Sequence, residues 1–408
     1  MDSSSQRRGY RHGFAKLALL ISVTALWGAP CISRAADLLV VDRLSNSVYR
    51  YSASGALLGT VIDNSTDLNQ PTGIGMSPDF KALFVASSQN NRVIKYDYDV
   101  ATGAATNPTI FADAAGGLAF PNDVLFSPDG SKVYVANLDG GVSRFNANGT
   151  SAGSKLVLSP PAGAGDFAAS SMAFTSGGKL LAGSFQEGGV VISDSSVSGF
   201  PQYLVQPTPA ITGATGLMIH DGYLYASGLF TTSIRRFELS SGQIDASWAI
   251  SGVGFPQDLV EAPDGNGFLA GILGFAAGGG NISRYSFNGT FLNTFASPAA
   301  PGQDGFTEAT AFVVVPTQLM LVGDFNGNGV VDAADYVVWR NASPTATLPN
   351  DDTPGVVDAS DYQSWRANFG KSTPASASAL GVASVPEPAG FLLLCIAILA
   401  GSTVRNRA

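Results

Sequence analysis

Between Asp37 and about Pro316, short apolar runs alternate with polar turns, and the alternation recurs in a fixed order. Stretches such as VYVAN (133–137) and LYASG (224–228) place apolar residues at every second position, the pattern of a half-buried strand. One recurring half is an apolar strand running into a turn: PTGIGMSPD from Pro71, PNDVLFSPDG from Pro121, SSMAFTSGG from Ser170, TGLMIHDG from Thr215 and PQDLVEAPDG from Pro256. The other half is a strand ending in a basic residue, an aromatic and a turn. It appears as VYRYSASG up to Gly55, VIKYDYD from Val93, VSRFNANG up to Gly149, IRRFELSSG up to Gly242 and ISRYSFNG up to Gly289. The Asp-Gly and Asn-Gly pairs supply the positive φ that tight turns need. The basic residue before each aromatic is expected to lie along a sheet face or pair locally.

The aromatics Tyr51, Tyr96, Phe145, Phe237 and Tyr285 set the period, with Ser193 in the aromatic's place in one degenerate copy; the spacings are 45, 49, 48, 44 and 48 residues. A period of this length with several strands per unit predicts the blades of a β-propeller. The copy that begins at Asp37 lacks its leading strand, and a matching strand, ATAFVVVP, stands at 309–316. Pairing the two would close a ring and leave no raw sheet edge between first and last blade. The expected fold is therefore all-β: a six-bladed β-propeller over 37–318, with seven blades the alternative count. These repeats resemble the NHL-like, YVTN-type and gluconolactonase-like propellers, the PND at Pro121-Asn122-Asp123 and the PDG turns carrying the likeness. It implies fold more than activity, because this architecture hosts unrelated functions.

After the repeats, DFNGNGVVDAAD begins at Asp324. Asp324, Asn326 and Asn328 stand at loop positions one, three and five, Gly329 at six, the carbonyl of Val330 at seven, Asp332 at nine and Asp335 at twelve. Alternating oxygen donors around a glycine turn suit a hard cation such as Ca²⁺. A second copy, NDDTPGVVDASD from Asn350, offers Asn350, Asp352, Asp358 and Asp361, but Pro354 at position five brings no side-chain oxygen, so this site is expected to be weaker or empty. Each copy leads into a matching segment, DYVVWR or DYQSWR, the start of an exiting helix. The duplicated loop–helix plan over 323–370 resembles dockerin repeats, which implies a cohesin-like partner or a calcium-stiffened stalk.

The two ends read as addresses. Residues 1–36 combine Arg7, Arg8 and Arg11 with the apolar run LALLISVTALWGA (17–29) and small residues at 33–36, the three parts of a secretory signal peptide. Residues 371–384 form a flexible linker by composition. Residues 385–408 hold Pro386-Glu387-Pro388, an apolar segment and a terminal Arg405-Asn406-Arg407. This order resembles the PEP-CTERM sorting signal, which implies an exosortase-type enzyme, a membrane stage through a C-terminal helix that is transient or permanent, and export to the cell surface, outer envelope or extracellular matrix.

Composition adds four constraints. Hydrophobic residues at 45% and charged residues at 13% exclude a disordered chain. Without the basic residues of the two ends and Asp2, the body has 15 basic against 30 acidic residues, about −15, which disfavours nucleic acid. The two cysteines, Cys31 and Cys395, fall in the terminal segments, so the body has no disulfide. Its one histidine, His220, is expected to be a structural turn residue, which leaves Ser-His-Asp and Cys-His schemes without their parts and gives no catalytic residue to assign. Thr72, Asn122, Asp123, Ser170, Thr215, Gln257, Asp258 and Thr310 all stand at the turn into an inner strand. The gluconolactonase-like resemblance implies a divalent metal held in the central funnel, for which Asn122, Asp123 and Asp258 are the candidates among them, with Glu308 as a stand-in third carboxylate. The first functional reading is an exported, non-catalytic binding or scaffold protein taking a glycan, peptide or matrix polymer at the propeller funnel. The alternative is a metal-dependent lactonase or hydrolase of the gluconolactonase-like type.

Overall fold

A computed structural model describes residues 36–157, 167–194, 202–274, 280–300, 302–317, 321–344, 346, 348–351 and 356–372. The two terminal addresses, Pro386-Glu387-Pro388 among them, and Asp352 with Pro354 of the second loop lie outside these residues. Among the described residues no helix is long and apolar enough to cross a membrane.

The repeat becomes six antiparallel sheets arranged as a six-bladed β-propeller. Blade 1 begins with β1 (Ala36–Asp42), β2 (Ser47–Tyr51) and β3 (Leu57–Ile62). Blade 2 holds β4 (Pro71–Met76), β5 (Ala82–Ser87), β6 (Arg92–Asp99) and β7 (Ala104–Ala112). Blade 3 holds β8 (Pro121–Phe126), β9 (Lys132–Asn137) and β10 (Val142–Asn146); its fourth edge is made only by bridges from Leu156 to Val142 and Ser151 to Phe145. Blade 4 runs β11 (Ala169–Phe174), β12 (Lys179–Ser184), β13 (Val190–Asp194) and β14 (Gln202–Val205). Blade 5 runs β15 (Leu217–His220), β16 (Tyr223–Gly228), β17 (Ser233–Glu238) and β18 (Ile244–Ser251). Blade 6 runs β19 (Phe255–Glu261), β20 (Phe268–Leu273), β21 (Ile282–Tyr285) and β22 (Phe291–Ala296).

The ring closes as the orphan strand requires. Strand β23 (Ala309–Pro316) pairs antiparallel with β1, from Ala36↔Pro316 to Val41↔Ala311, and becomes the inner strand of blade 1. Asp42 fastens this junction. Its Oδ1 accepts the N–H of Leu44 and Glu308, and its Oδ2 accepts the Thr307 N–H and the Thr307 and Ser45 hydroxyls. The side chain is fully buried, so five donors replace the water it has lost.

The apolar faces of neighbouring sheets meet between blades. Phe84 of blade 2 packs edge-on against Phe111 and against Phe126 of blade 3, and Phe111 reaches Phe145. Leu38, Val40 and Tyr51 of blade 1 share a cluster with Leu269, Ile282 and Phe295 of blade 6. Full burial of one such side chain contributes about 1.5–3 kcal/mol, and six of these interfaces hold the ring without a thiol.

The repeated basic residues behave as the pattern predicts in four blades: Arg50 pairs with Asp37, Arg236 with Asp245, Arg284 with Asp264, and Arg144 donates to the Ser154 carbonyl. His220 ends β15 stacked on Phe287 at 3.4 Å, a structural contact. Beyond the ring, α1 (Ala333–Asn341) and α2 (Ala359–Asn368) each follow one of the acidic loops.

Candidate functional site

Six inner strands start around the propeller axis, and the residues at their starts line one narrow cavity: Thr72, Asn122, Asp123, Ser170, Thr215, Gln257, Asp258, Thr310 and Ala311. Eight of these nine positions are those singled out from the repeat. The alignment works because each blade enters its inner strand at the same phase, so equivalent positions face the axis.

Most of the polar groups here bind the next blade. The Thr72 hydroxyl donates to the Pro121 carbonyl (3.0 Å), Asn122 Nδ2 to the Ser170 carbonyl (2.6 Å), Thr215 to the Pro256 carbonyl (3.0 Å) and Thr310 to the Pro71 carbonyl (3.2 Å). The Ser170 hydroxyl donates to the Ala214 carbonyl. Five of the six positions thus form a belt of hydrogen bonds around the axis. Gln257, the sixth, lines the cavity without such a bond.

One residue further along, the blades read Gly73, Asp123, Ser171, Gly216, Asp258 and Ala311. Asp123 belongs to blade 3 and Asp258 to blade 6, half a turn apart around the ring. Asp123 Oδ1 accepts the Val124 N–H (2.7 Å) and Oδ2 the Met172 N–H of blade 4 (2.8 Å). Asp258 repeats this with Leu259 (2.8 Å) and with Phe312 of blade 1 (2.9 Å). Glycine precedes each aspartate around the ring for a steric reason. A Cβ on Gly73 would come within 2.7 Å of the Asp123 Cα, and one on Gly216 within 2.8 Å of the Asp258 Cα.

Burial pushes the Asp123 carboxyl up to about 6, against the pull of its two backbone donors. Burial, and then the charge of Asp123 across the axis, push Asp258 up to about 8. Of the two, Asp258 is held further towards its protonated form. Both side chains retain some solvent access through the cavity, which favours water over a dry void.

The cavity is small, about 10 Å³, space for roughly one water. Glu308 does not reach it: its carboxylate pairs with Arg43 at 2.7 Å on the closing junction. The stand-in third carboxylate is thereby corrected, because closing the ring turns Glu308 towards blade 1's first loop. Among the described residues no three acidic, histidine or cysteine side chains gather closely enough to hold a metal by themselves. The axial cavity thus offers two carboxylates, each holding two amides, and no third acidic side chain.

The first acidic loop is a different arrangement. Asp324 and Asp335 are buried at 2% and 0% exposure. Asp324 accepts the N–H of Asn328 and Gly329, Asn326 Oδ1 accepts Asn328 N–H, and Asn328 Oδ1 accepts Val330 N–H. Asp335 accepts the N–H of Asn326 (3.0 Å) and Asp332 (2.8 Å), while Asp332 caps α1 through the Ala334 N–H. Burial first, and then the neighbouring charges of Asp324 and Asp332, raise Asp335 above the usual carboxylate range, although its backbone donors oppose this. Asp324, Asp332 and Asp335 thus share one loop with the side-chain oxygens of Asn326 and Asn328, and the charges of the first two act on the third.

In the second loop, Asp358 and Asp361 repeat the capping box of α2, and Asp361 is buried at 0%. Asn350 donates its side-chain amide to the Asp324 carbonyl at 2.8 Å. The neighbouring Asp351 is buried at 2%, as Asp324 is. It shares the burial of Asp324, while Asn350, at the position the twelve-residue spacing assigns, binds the backbone of the first loop. The two halves also latch each other: Trp339 Nε1 donates to the Asp358 carbonyl (3.0 Å) and Trp365 Nε1 to the Asp332 carbonyl (2.8 Å).

Comparison with known proteins adds the following. A family model described as SMP-30/Gluconolactonase/LRE-like region matches residues 35–157, which span blade 1 to blade 3. No curated protein matches the sequence. Among solved structures, a chain in the crystal structure of a nidogen/laminin complex is similar at 11% identity, covering 70% of this chain and all of that one, with a TM-score of 0.52. A putative 6-phosphogluconolactonase from Bacteroides uniformis is similar at 17% identity over 64% of this chain and 82% of that one, with a TM-score of 0.46. These likenesses concern fold.

Proposed function

We propose that this is an exported, non-catalytic β-propeller that acts as a binding or scaffold protein at the cell surface or in the extracellular matrix. One observation carries the reading: the axial cavity, where such a ring would place chemistry, is about 10 Å³ and its carboxylates already hold two backbone amides each. The polar belt then serves to seal the blades together, and the ligand, a glycan, peptide or matrix polymer, contacts the ring's outer surfaces.

In this reading Asp324, Asn326, Asn328, Val330, Asp332 and Asp335 bind one Ca²⁺, which stiffens the module and presents it to a cohesin-like partner. The second loop binds more weakly through Asp351, Asp358 and Asp361. The sequence at 1–36 and 385–408 supports export and exosortase-type sorting. Metal analysis of the purified protein tests the module: Asp324→Ala should remove about one bound calcium per chain. An unchanged calcium content would reject it.

The second reading, a metal-dependent lactonase, is favoured by the convergence of Asn122, Asp123 and Asp258 on one cavity within a chain that matches the gluconolactonase-like family model over 35–157. Metal retained after Asp324→Ala and Asp361→Ala together, and lost on adding Asp258→Ala, would establish it over the first.

A further inference from the structure

A larger cleft, about 440 Å³, opens between blades 2 and 3 at the opposite end of the inner strands from the axial cavity. That volume lies in the range of small-ligand sites, about 300–1,000 Å³. Phe84 and Phe126, 4.9 Å apart, form its floor, and Pro78 lies on its rim. Lys81, Lys95, Asp79, Asp97 and Asp129 supply its charges.

Lys95 is the exception among the repeated basic residues. In blade 1, Leu39 pairs with Arg50, and two residues earlier Asp37 binds the guanidinium at 2.6 Å. In blade 2, Phe84 pairs with Lys95, and two residues earlier the chain carries Ala82. The carboxylate that satisfies Arg50 is absent there, and the cleft occupies its place. Among the described residues neither Lys95 nor Lys81 has an ion pair.

The aspartates are held differently. Asp79 Oδ1 accepts from Ser77 and Lys81 N–H, Asp97 Oδ2 from Asn107, and Asp129 from Ser127 and Ser131. Asp79 Oδ2 and Asp97 Oδ1 stay open to hydroxyl donors. The cleft thus offers two ammonium groups for a carboxylate, acceptors for hydroxyls and an aromatic and proline surface for C–H groups.

We propose that this cleft binds a carboxylate-bearing sugar, one or two uronic-acid units of an acidic polysaccharide, with the ligand carboxylate standing where Asp37 stands in blade 1. The proposal rests on the binding-protein reading and deepens it by naming the ligand class and moving the site away from the axis.

Calorimetric titration of the whole protein in calcium buffer tests it, with a glucuronic-acid trisaccharide and a neutral glucose trisaccharide as probes. The acidic sugar should bind, and the neutral one about tenfold more weakly or worse, the loss of a charge-assisted contact. Lys95→Ala should weaken the acidic sugar by about the same factor. Ala82→Asp supplies the missing carboxylate within the chain and should do likewise; it stands opposite Asp97 on the neighbouring strand, so the thermal midpoint should fall modestly, and a retained cooperative transition separates occlusion from misfolding. Equal affinity in both variants, or equal affinity for the two sugars, overturns the cleft while the binding-protein reading stands. No binding of either sugar also overturns the cleft, and metal analysis still decides the broader reading independently.

Discussion

Replacing Asp258 by Asn tests whether the axial carboxyl pair is a seal held by one shared proton. Two effects compete. The amide cannot accept at both positions, so either the Leu259 or the Phe312 N–H loses its acceptor, at about 1–3 kcal/mol for a buried donor. Against this, the amide never ionises. Asp258 is raised from 3.8 to about 8 by burial and by Asp123, and a folded chain that holds a proton more tightly than the unfolded one is favoured at low pH. The stabilisation from this proton is complete below about pH 4 and is lost as pH rises through about 8. At about 1.4 kcal/mol for each pKa unit the ceiling is on the order of 6 kcal/mol. Solvent access through the cavity lowers it further. Urea unfolding at pH 5, 7 and 8.5 in calcium buffer should show Asp258→Asn less stable than the parent at pH 5 and level with it or more stable at pH 8.5. Stability curves that run parallel across this range would refute the shared proton, and a bound axial cation that keeps both carboxylates ionised would produce that result.

Two further substitutions probe the closures. Asp42→Asn turns one acceptor oxygen of the ring junction into a donor facing the groups it held, and should destabilise the propeller by about 3 kcal/mol, seen as a lower urea midpoint with an unchanged slope. Trp365→Phe removes the indole hydrogen bond to the Asp332 carbonyl while keeping an aromatic ring in the stack. Calcium affinity of the first loop should fall several-fold with little change in propeller stability, and an unchanged affinity would show that the two halves of the module act separately.

The sequence carried the ring. Its 44–49-residue spacing fixes how often a blade returns, and the strand at 309–316, left without a partner in its own neighbourhood, fixes how the circle ends. Because every blade enters its inner strand in the same phase, Thr72, Asn122, Asp123, Ser170, Thr215, Gln257, Asp258 and Thr310 could be assigned to one axial site from their place in the repeat. Local pattern determines such features because period and phase are properties of consecutive residues.

Only the tertiary structure decided what those residues do. That Asp123 and Asp258 stand half a turn apart, that burial and the charge of Asp123 raise Asp258, and that amides of the following blades engage both depends on contacts between residues about 50 positions distant. Ring closure likewise decided that Glu308 pairs with Arg43, and the fold of the module that Asp351 is as buried as Asp324. The cleft beside Lys95 is a lack, the acid that blade 1 has and blade 2 does not, and it takes shape only when two blades are set side by side. Distances between elements set charge, burial and volume, and those distances come from packing, which no single stretch of chain encodes.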